Sequence, residues 1–296
     1  MENNNVNDSV EMTNSSKVYA LFYSFFLIPF MLAIFGAMFF FMFQFLTYEK
    51  STPSDLLNNI QSGSATKRWQ SAFELSNMLS PEKITNPILF ESRLKNLFEK
   101  SKYDDLRVRT YLALAMGKTQ NSAYGPILME SLNDEDEMVR IASIKSLGIL
   151  KYKKSCDKLA SILTNSSSNS EKLASVISLG AMADNKYSDI LVSVLDNEEP
   201  NLRWDAAIAL LKMANDKGVP IVENLLNRDY YKQFPPKKDG SGMNDDEVDI
   251  AINAAIAASS IYVDVRFVDE LIFLSENDKN IGIRELALKT IDIYYK

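Results

Sequence analysis

The sequence predicts an all-α protein: one transmembrane helix followed by an α-solenoid of about six to seven helix pairs. Three observations carry this. Residues 18–48 contain no charged side chain and ten of the sixteen phenylalanines. Arg109, Arg140, Lys172 and Arg203 recur at intervals of 31, 32 and 31 residues, each opening a similar apolar pattern. Between these patterns lie second apolar stretches, also of helical length.

The elements follow in order. Residues 1–17, rich in Asn and Ser, read as a polar disordered tail. A transmembrane helix needs roughly 20 apolar residues, and residues 25–46 alone supply 22. Tyr19 and Tyr23 at one end and Tyr48 at the other suit the membrane–water interface, and Pro29 can kink the helix without excluding it from lipid. A secretory signal has an apolar region of about 7–15 residues and a small-residue cleavage site. Residues 18–48 are longer and lack that site, so they are read as a retained single-pass anchor. Lys17 is the only cation on the N-terminal side, whereas Lys50, Lys67 and Arg68 follow the span. That count favours a cytoplasmic C-terminal domain.

Residues 49–64, with Pro53 and Gly63, read as a linker, and residues 65–296 as the repeat domain. Four and seven positions after each repeat cation stand Ala113 and Met116, Ile144 and Leu147, Val176 and Leu179, Ala207 and Leu210. Those offsets lie on one helical face and predict an equivalent buried stripe in each unit. Eight positions after the cation come Gly117, Gly148 and Gly180, with Leu211 in the fourth unit. Two units superpose directly: Arg140-Ile141-Ala142-Ser143-Ile144-Lys145-Ser146-Leu147-Gly148 and Lys172-Leu173-Ala174-Ser175-Val176-Ile177-Ser178-Leu179-Gly180. Further copies begin at Arg68 and Arg284, and a weaker one near Asp249 carries Ile252, Ile256 and Ala257. Second helices are expected over 86–100, 122–132, 153–164, 186–195, 217–227 and 264–275. One such pair cannot bury both of its faces alone, whereas stacked pairs can.

The pattern of an acidic residue, Arg four positions later, small and apolar residues and then Leu-Gly resembles HEAT-like repeats of the phycobilin-lyase type. It stands here as Asp105 to Arg109 with Gly117, Asp136 to Arg140 with Gly148, and Glu199 to Arg203. The resemblance covers residues 65–296. It implies that acid and Arg lie near the start of each first helix, pair on one face, and join a ladder between repeats. Lys172 with Ser168, Asp249, and the missing fourth glycine depart from the pattern.

Composition limits the chemistry. There is no histidine and one cysteine, Cys156, which removes Ser-His-Asp and Cys-His catalysis, imidazole metal ligation and any intramolecular disulfide. The net charge of -7 argues against a nucleic-acid partner. Cys156 at a helix start beside Leu159 and Ile162 reads as a packed residue. Arg203 and Asp249 are 46 residues apart, one period plus an insertion at 228–247. Its Asp239-Gly240-Ser241-Gly242 stretch is not an EF-hand loop, because Pro235 and Lys237 would fill the first ligand positions. The insertion is read either as a partner-binding loop anchored by Tyr230, Tyr231 and Phe234, replaceable without loss of fold, or as a solvated connection between helices. No catalytic, metal or cofactor residues are assigned. The expected function is a non-enzymatic, membrane-anchored scaffold or accessory subunit of a membrane complex, meeting a protein partner and, through residues 18–48, the bilayer. The alternative is a lyase-type enzyme or chaperone with a site in the concave groove of the solenoid.

Overall fold

The computed structural model describes residues 21–46, 51–235 and 242–296. The polar tail at 1–17, the ends of the expected span at 18–20 and 47–48, residues 49–50, and the 236–241 part of the insertion lie outside the described residues. The chain forms two units, Met1–Ser51 and Thr52–Lys296.

In the first unit a π-helical turn, Tyr23–Leu27, runs into α1, Ile28–Leu46. The wider turn lies just ahead of Pro29, whose nitrogen has no hydrogen to donate and whose ring crowds the preceding turn. Tyr23–Phe43, 21 residues with a mean hydropathy of 2.4 and none buried, is long and apolar enough to cross a membrane.

The second unit is built from helices joined by short connections, without a strand among its described residues. In chain order its helices are α2 (Pro53–Ser62), α3 (Ala65–Met78), α4 (Pro87–Lys100), α5 (Leu106–Lys118), α6 (Gly125–Glu130), α7 (Glu137–Ile149), α8 (Cys156–Asn165) and α9 (Asn169–Met182). Then come α10 (Ser188–Val194), α11 (Pro200–Lys212), α12 (Val219–Leu226), α13 (Asp245–Ile261), α14 (Val268–Asn277) and α15 (Ile281–Tyr294). The seven first helices of the repeat are α3, α5, α7, α9, α11, α13 and α15, and successive ones pack on each other. Ala113, Met116, Ile144, Leu147, Val176, Leu179, Ala207 and Leu210 are no more than 1% exposed, as the repeat offsets predict. Five of the six second helices, all but α4, are entered through a 3-10 turn.

One boundary differs from expectation. Helix α2 lies inside the stretch read as a linker, and its Leu56, Leu57 and Ile60 are each 1% exposed within the solenoid core. The Thr52 hydroxyl accepts from the Asp55 amide, and Asp55 accepts from the Thr52 amide, a capping box that starts a helix of only ten residues.

Two devices repeat with the period. Gln120, Lys151, Ala183 and Ala214 all adopt left-handed backbone, with φ of 54, 48, 48 and 55°. Each reverses the chain from a first helix into a second one, a conformation that L-residues adopt at a cost. The glycines seat neighbouring first helices against each other. A Cβ on Gly117 would lie 2.9 Å from the Cα of Ser146, one on Gly148 2.9 Å from the Cα of Ser178, and one on Gly180 3.0 Å from the Cα of Ala209. At that contact the Ser146 hydroxyl donates to the Ala113 carbonyl at 2.8 Å, and Ser178 to the Ile144 carbonyl at 2.9 Å.

The charged ladder runs between repeats, not within the helix. Arg109 pairs with Asp134 at 2.8 Å and Arg140 with Glu171 at 2.6 Å; Arg68 pairs with Asp104. The intra-helix pairs implied by the resemblance are not formed. Asp105 and Asp136 instead accept the Arg107 and Val139 amides as N-caps, so their carboxylates point at the helix start.

Candidate protein-docking site

The regular stack changes at α11. Buried residues upstream form one apolar cluster that ends at Met213, and a second cluster begins with Trp204, Ala207 and Leu211 on the same helix. Helix α11 begins with Pro200 at its first position, where a missing N–H costs nothing. Helix α13 begins with a capping box between Asn244 and Glu247. Asn201, Trp204, Asp205 and Ile208 are spaced i, i+3, i+4, i+7, so they share one face of α11. Glu247, Ile250, Ala251 and Ala254 repeat that spacing on α13. These two stripes, with Leu225, Gly242 and Met243, line a cavity of about 280 Å3.

The three aromatics of the insertion pack behind it. Trp204 meets Tyr230, Tyr231 and Phe234 edge-on, with ring centroids 6.2, 5.8 and 5.4 Å away. The Trp204 indole N–H donates to the Tyr230 hydroxyl at 3.2 Å. Tyr231 is 4% exposed, and its hydroxyl donates to the Leu225 carbonyl at 2.8 Å. Burial pushes the Tyr231 phenol up from its ordinary range. Tyr230 and Phe234 are half-buried. The three rings read as partner anchors turn inward, because a tryptophan at 204 gives them an apolar surface to cover.

Arg228 fixes the start of the same segment. It donates to Asp249 at 2.6 Å and to both carboxylate oxygens of Asp278 at 2.7 and 2.9 Å. Asp249 stands where other first helices carry Arg or Lys, so the ladder's sign is reversed here and the insertion supplies the cation. Replacing 228–247 by a flexible linker would remove this pairing and the three rings packed on Trp204.

Asp205 is the unusual group in the cavity. It is half-buried and has no hydrogen-bond or ion-pair partner among the described residues. Burial pushes its carboxyl up to about 6, opposed by Lys212. Two positions after the repeat cation the other units carry Gln70, Tyr111, Ala142, Ala174, Ala251 and Leu286, so the position is variable and the sequence reading passed over Asp205. A larger, open cleft of about 750 Å3 lies beside Phe98 and Tyr103, but its Arg109 and Asp134 neutralise each other. Cys156 is 1% exposed, and burial, with Asp184 and Asp157 nearby, pushes its thiol up, as a packed residue requires.

Residues 92–179 and 157–233 match the family model for HEAT repeats. No curated protein sequence matches the chain. The fold is similar to the complex of CpcE and CpcF of phycocyanin lyase from Nostoc sp. PCC7120, at 17% identity and a TM-score of 0.54, over 83% of this chain and 96% of that one. An engineered protein matches at 14% identity, over 82% of this chain and 96% of that one, with a TM-score of 0.44. The Escherichia coli protein YibA matches at 15% identity, over 84% of each chain, with a TM-score of 0.44. The expectation that the chain is not an enzyme is overturned by the first of these likenesses, since a solenoid of this fold belongs to a lyase. The absence of histidine and the burial of Cys156 exclude particular mechanisms, and carboxylates remain. From α3 to α15 this chain is an α-solenoid, and its residues 92–233 match HEAT repeats.

Proposed function

We propose that the protein is a membrane-anchored docking subunit that holds a protein partner of a membrane complex against the α11–α13 face. The carrying observation is the preformed cavity between those helices, apolar at its base and furnished with an unpaired carboxylate. A cavity that is ready before the partner arrives avoids an ordering cost on binding. The fully exposed helix Tyr23–Phe43 supports a single-pass anchor, which raises the effective concentration of the solenoid toward neighbouring membrane proteins. The Lys and Arg count favours the cytoplasmic side. Tyr230, Tyr231 and Phe234 act in this reading by holding Trp204 in the cavity wall.

The test is co-purification in mild detergent. Ile250, 68% exposed at the cavity edge, is changed to Glu, with Met138→Glu, at a residue 60% exposed outside the cavity lining, as the control. Ile250→Glu should lose the partner while Met138→Glu keeps it; retention by both refutes the docking face. Alkaline extraction should leave the full chain in the membrane pellet and release a chain beginning at Thr52.

A second reading, a lyase-type reaction in the same cavity, is favoured by Asp205 alone. A carboxyl titrating at about 6 is suited to general acid–base work near neutral pH.

A further inference from the structure

Several acids along the solenoid that lose solvent are matched by a cation. Asp134 has Arg109, Glu171 has Arg140, and Asp249 and Asp278 share Arg228. Asp205 lines a cavity and has no hydrogen bond or contact ion pair among the described residues, only the more distant charge of Lys212. Neighbouring units place alanine at the equivalent position, so a carboxylate is not required for packing. It sits one residue from Trp204, whose ring is fixed by three aromatics and lines the same cavity. Glu247 adds a second negative charge to the lining, and Ile208, Ala251 and Ala254 add apolar surface to it. At about 280 Å3 the space lies just below the range of drug-sized ligand pockets and is roomy enough for a single long side chain.

We propose that this cavity receives one arginine side chain of the partner polypeptide, its guanidinium paired with Asp205 and lying along Trp204. The assignment rests on the docking reading above. Arginine fits better than lysine because a guanidinium is planar, is more weakly hydrated, stacks on an aromatic ring and meets a carboxylate with two donors. Ile250 and Met243 at the edge offer contact to an apolar residue beside it. The protein's net charge of -7 draws a basic segment toward it.

The probe is a blocked tetrapeptide with one arginine, compared with its citrulline twin, which is nearly isosteric and neutral. Both are titrated calorimetrically into the full chain in detergent micelles. The arginine peptide should bind at least about tenfold more tightly than the citrulline peptide, and Asp205→Asn should abolish the difference. The comparison within wild-type protein does not depend on any variant folding, and the unfolding midpoint of Asp205→Asn checks that variant. Equal binding of the two peptides to wild-type protein, or a preference that survives Asp205→Asn, overturns the arginine site. If Ile250→Glu still loses the native partner in that case, the docking reading stands without it. If Ile250→Glu keeps the partner, the docking reading itself fails.

Discussion

Gly148→Ala puts one methyl group between α7 and α9. The new Cβ would lie 2.5 Å from the Ser178 hydroxyl, 2.8 Å from its Cβ and 2.9 Å from its Cα. The hydroxyl cannot simply rotate away, because it donates to the Ile144 carbonyl at 2.9 Å, and the Cα is backbone. The two helices must separate, against a core in which Ile144, Leu147, Val176 and Leu179 are fully enclosed. Overpacking of this kind costs about 1–3 kcal/mol, and weakening the Ser178 hydrogen bond adds about 1 kcal/mol. The helix propensity of alanine returns about 1 kcal/mol. The net expectation is a loss of about 1–3 kcal/mol, or roughly 2–10 °C in Tm for a domain of this size. Urea and thermal unfolding followed by circular dichroism, on the full chain in one detergent, read it directly. Adding Ser178→Gly should return much of the loss, since it removes the hydroxyl and Cβ that collide. If Gly148→Ala is as stable as wild type, the close approach of first helices is wrong, and with it the reason for the repeated Leu-Gly.

Ala183→Gly should stabilise by about 1 kcal/mol, because Ala183 holds a φ of 48° that glycine adopts freely; a higher urea midpoint checks it. Asp205 titrates at about 6 in the folded protein against an ordinary 3.8, so its proton binds the folded state more tightly and stability should fall as pH rises from about 4 to 6, then level off. Asp205→Asn should remove that component and gain up to about 3 kcal/mol at pH 7, read as the difference between variant and wild-type urea curves at pH 4.5 and 7. Removal of residues 1–51 should leave a helical, cooperatively unfolding domain, whereas removal of residues 1–64 strips Leu56, Leu57 and Ile60 from the core and should lower the midpoint sharply.

The repeat was legible because its buried positions are apolar at a fixed period, and Ala113, Ile144, Val176 and Ala207 fall where the offsets put them. The turns were less legible. Gln120, Lys151, Ala183 and Ala214 carry no glycine or asparagine signal, and only their spacing of 31, 32 and 31 residues betrays a shared backbone conformation. Helix α2 was hidden by Pro53 and Gly63, which look like linker residues but here stand at the first helical position and the C-cap. Asp105 and Asp136 followed the repeat signature, yet sequence spacing cannot distinguish a cap from an ion pair. The aromatics of the insertion were found, but their direction depended on Trp204, which is 26 residues before Tyr230 and was read only as part of a repeat. Asp205 was missed, because the equivalent position varies among the repeats and carries Gln70, Tyr111, Ala142 and Ala174. Its meaning required the cavity, which two helices 46 residues apart in register create together.

The most direct measurement of the docking account is site-specific photocrosslinking in membranes. A photoreactive residue in place of Ile250, on the α13 side of the cavity, should capture one defined partner polypeptide, and the same group in place of Met138 should not. A partner captured from position 138 and never from position 250 would contradict the account.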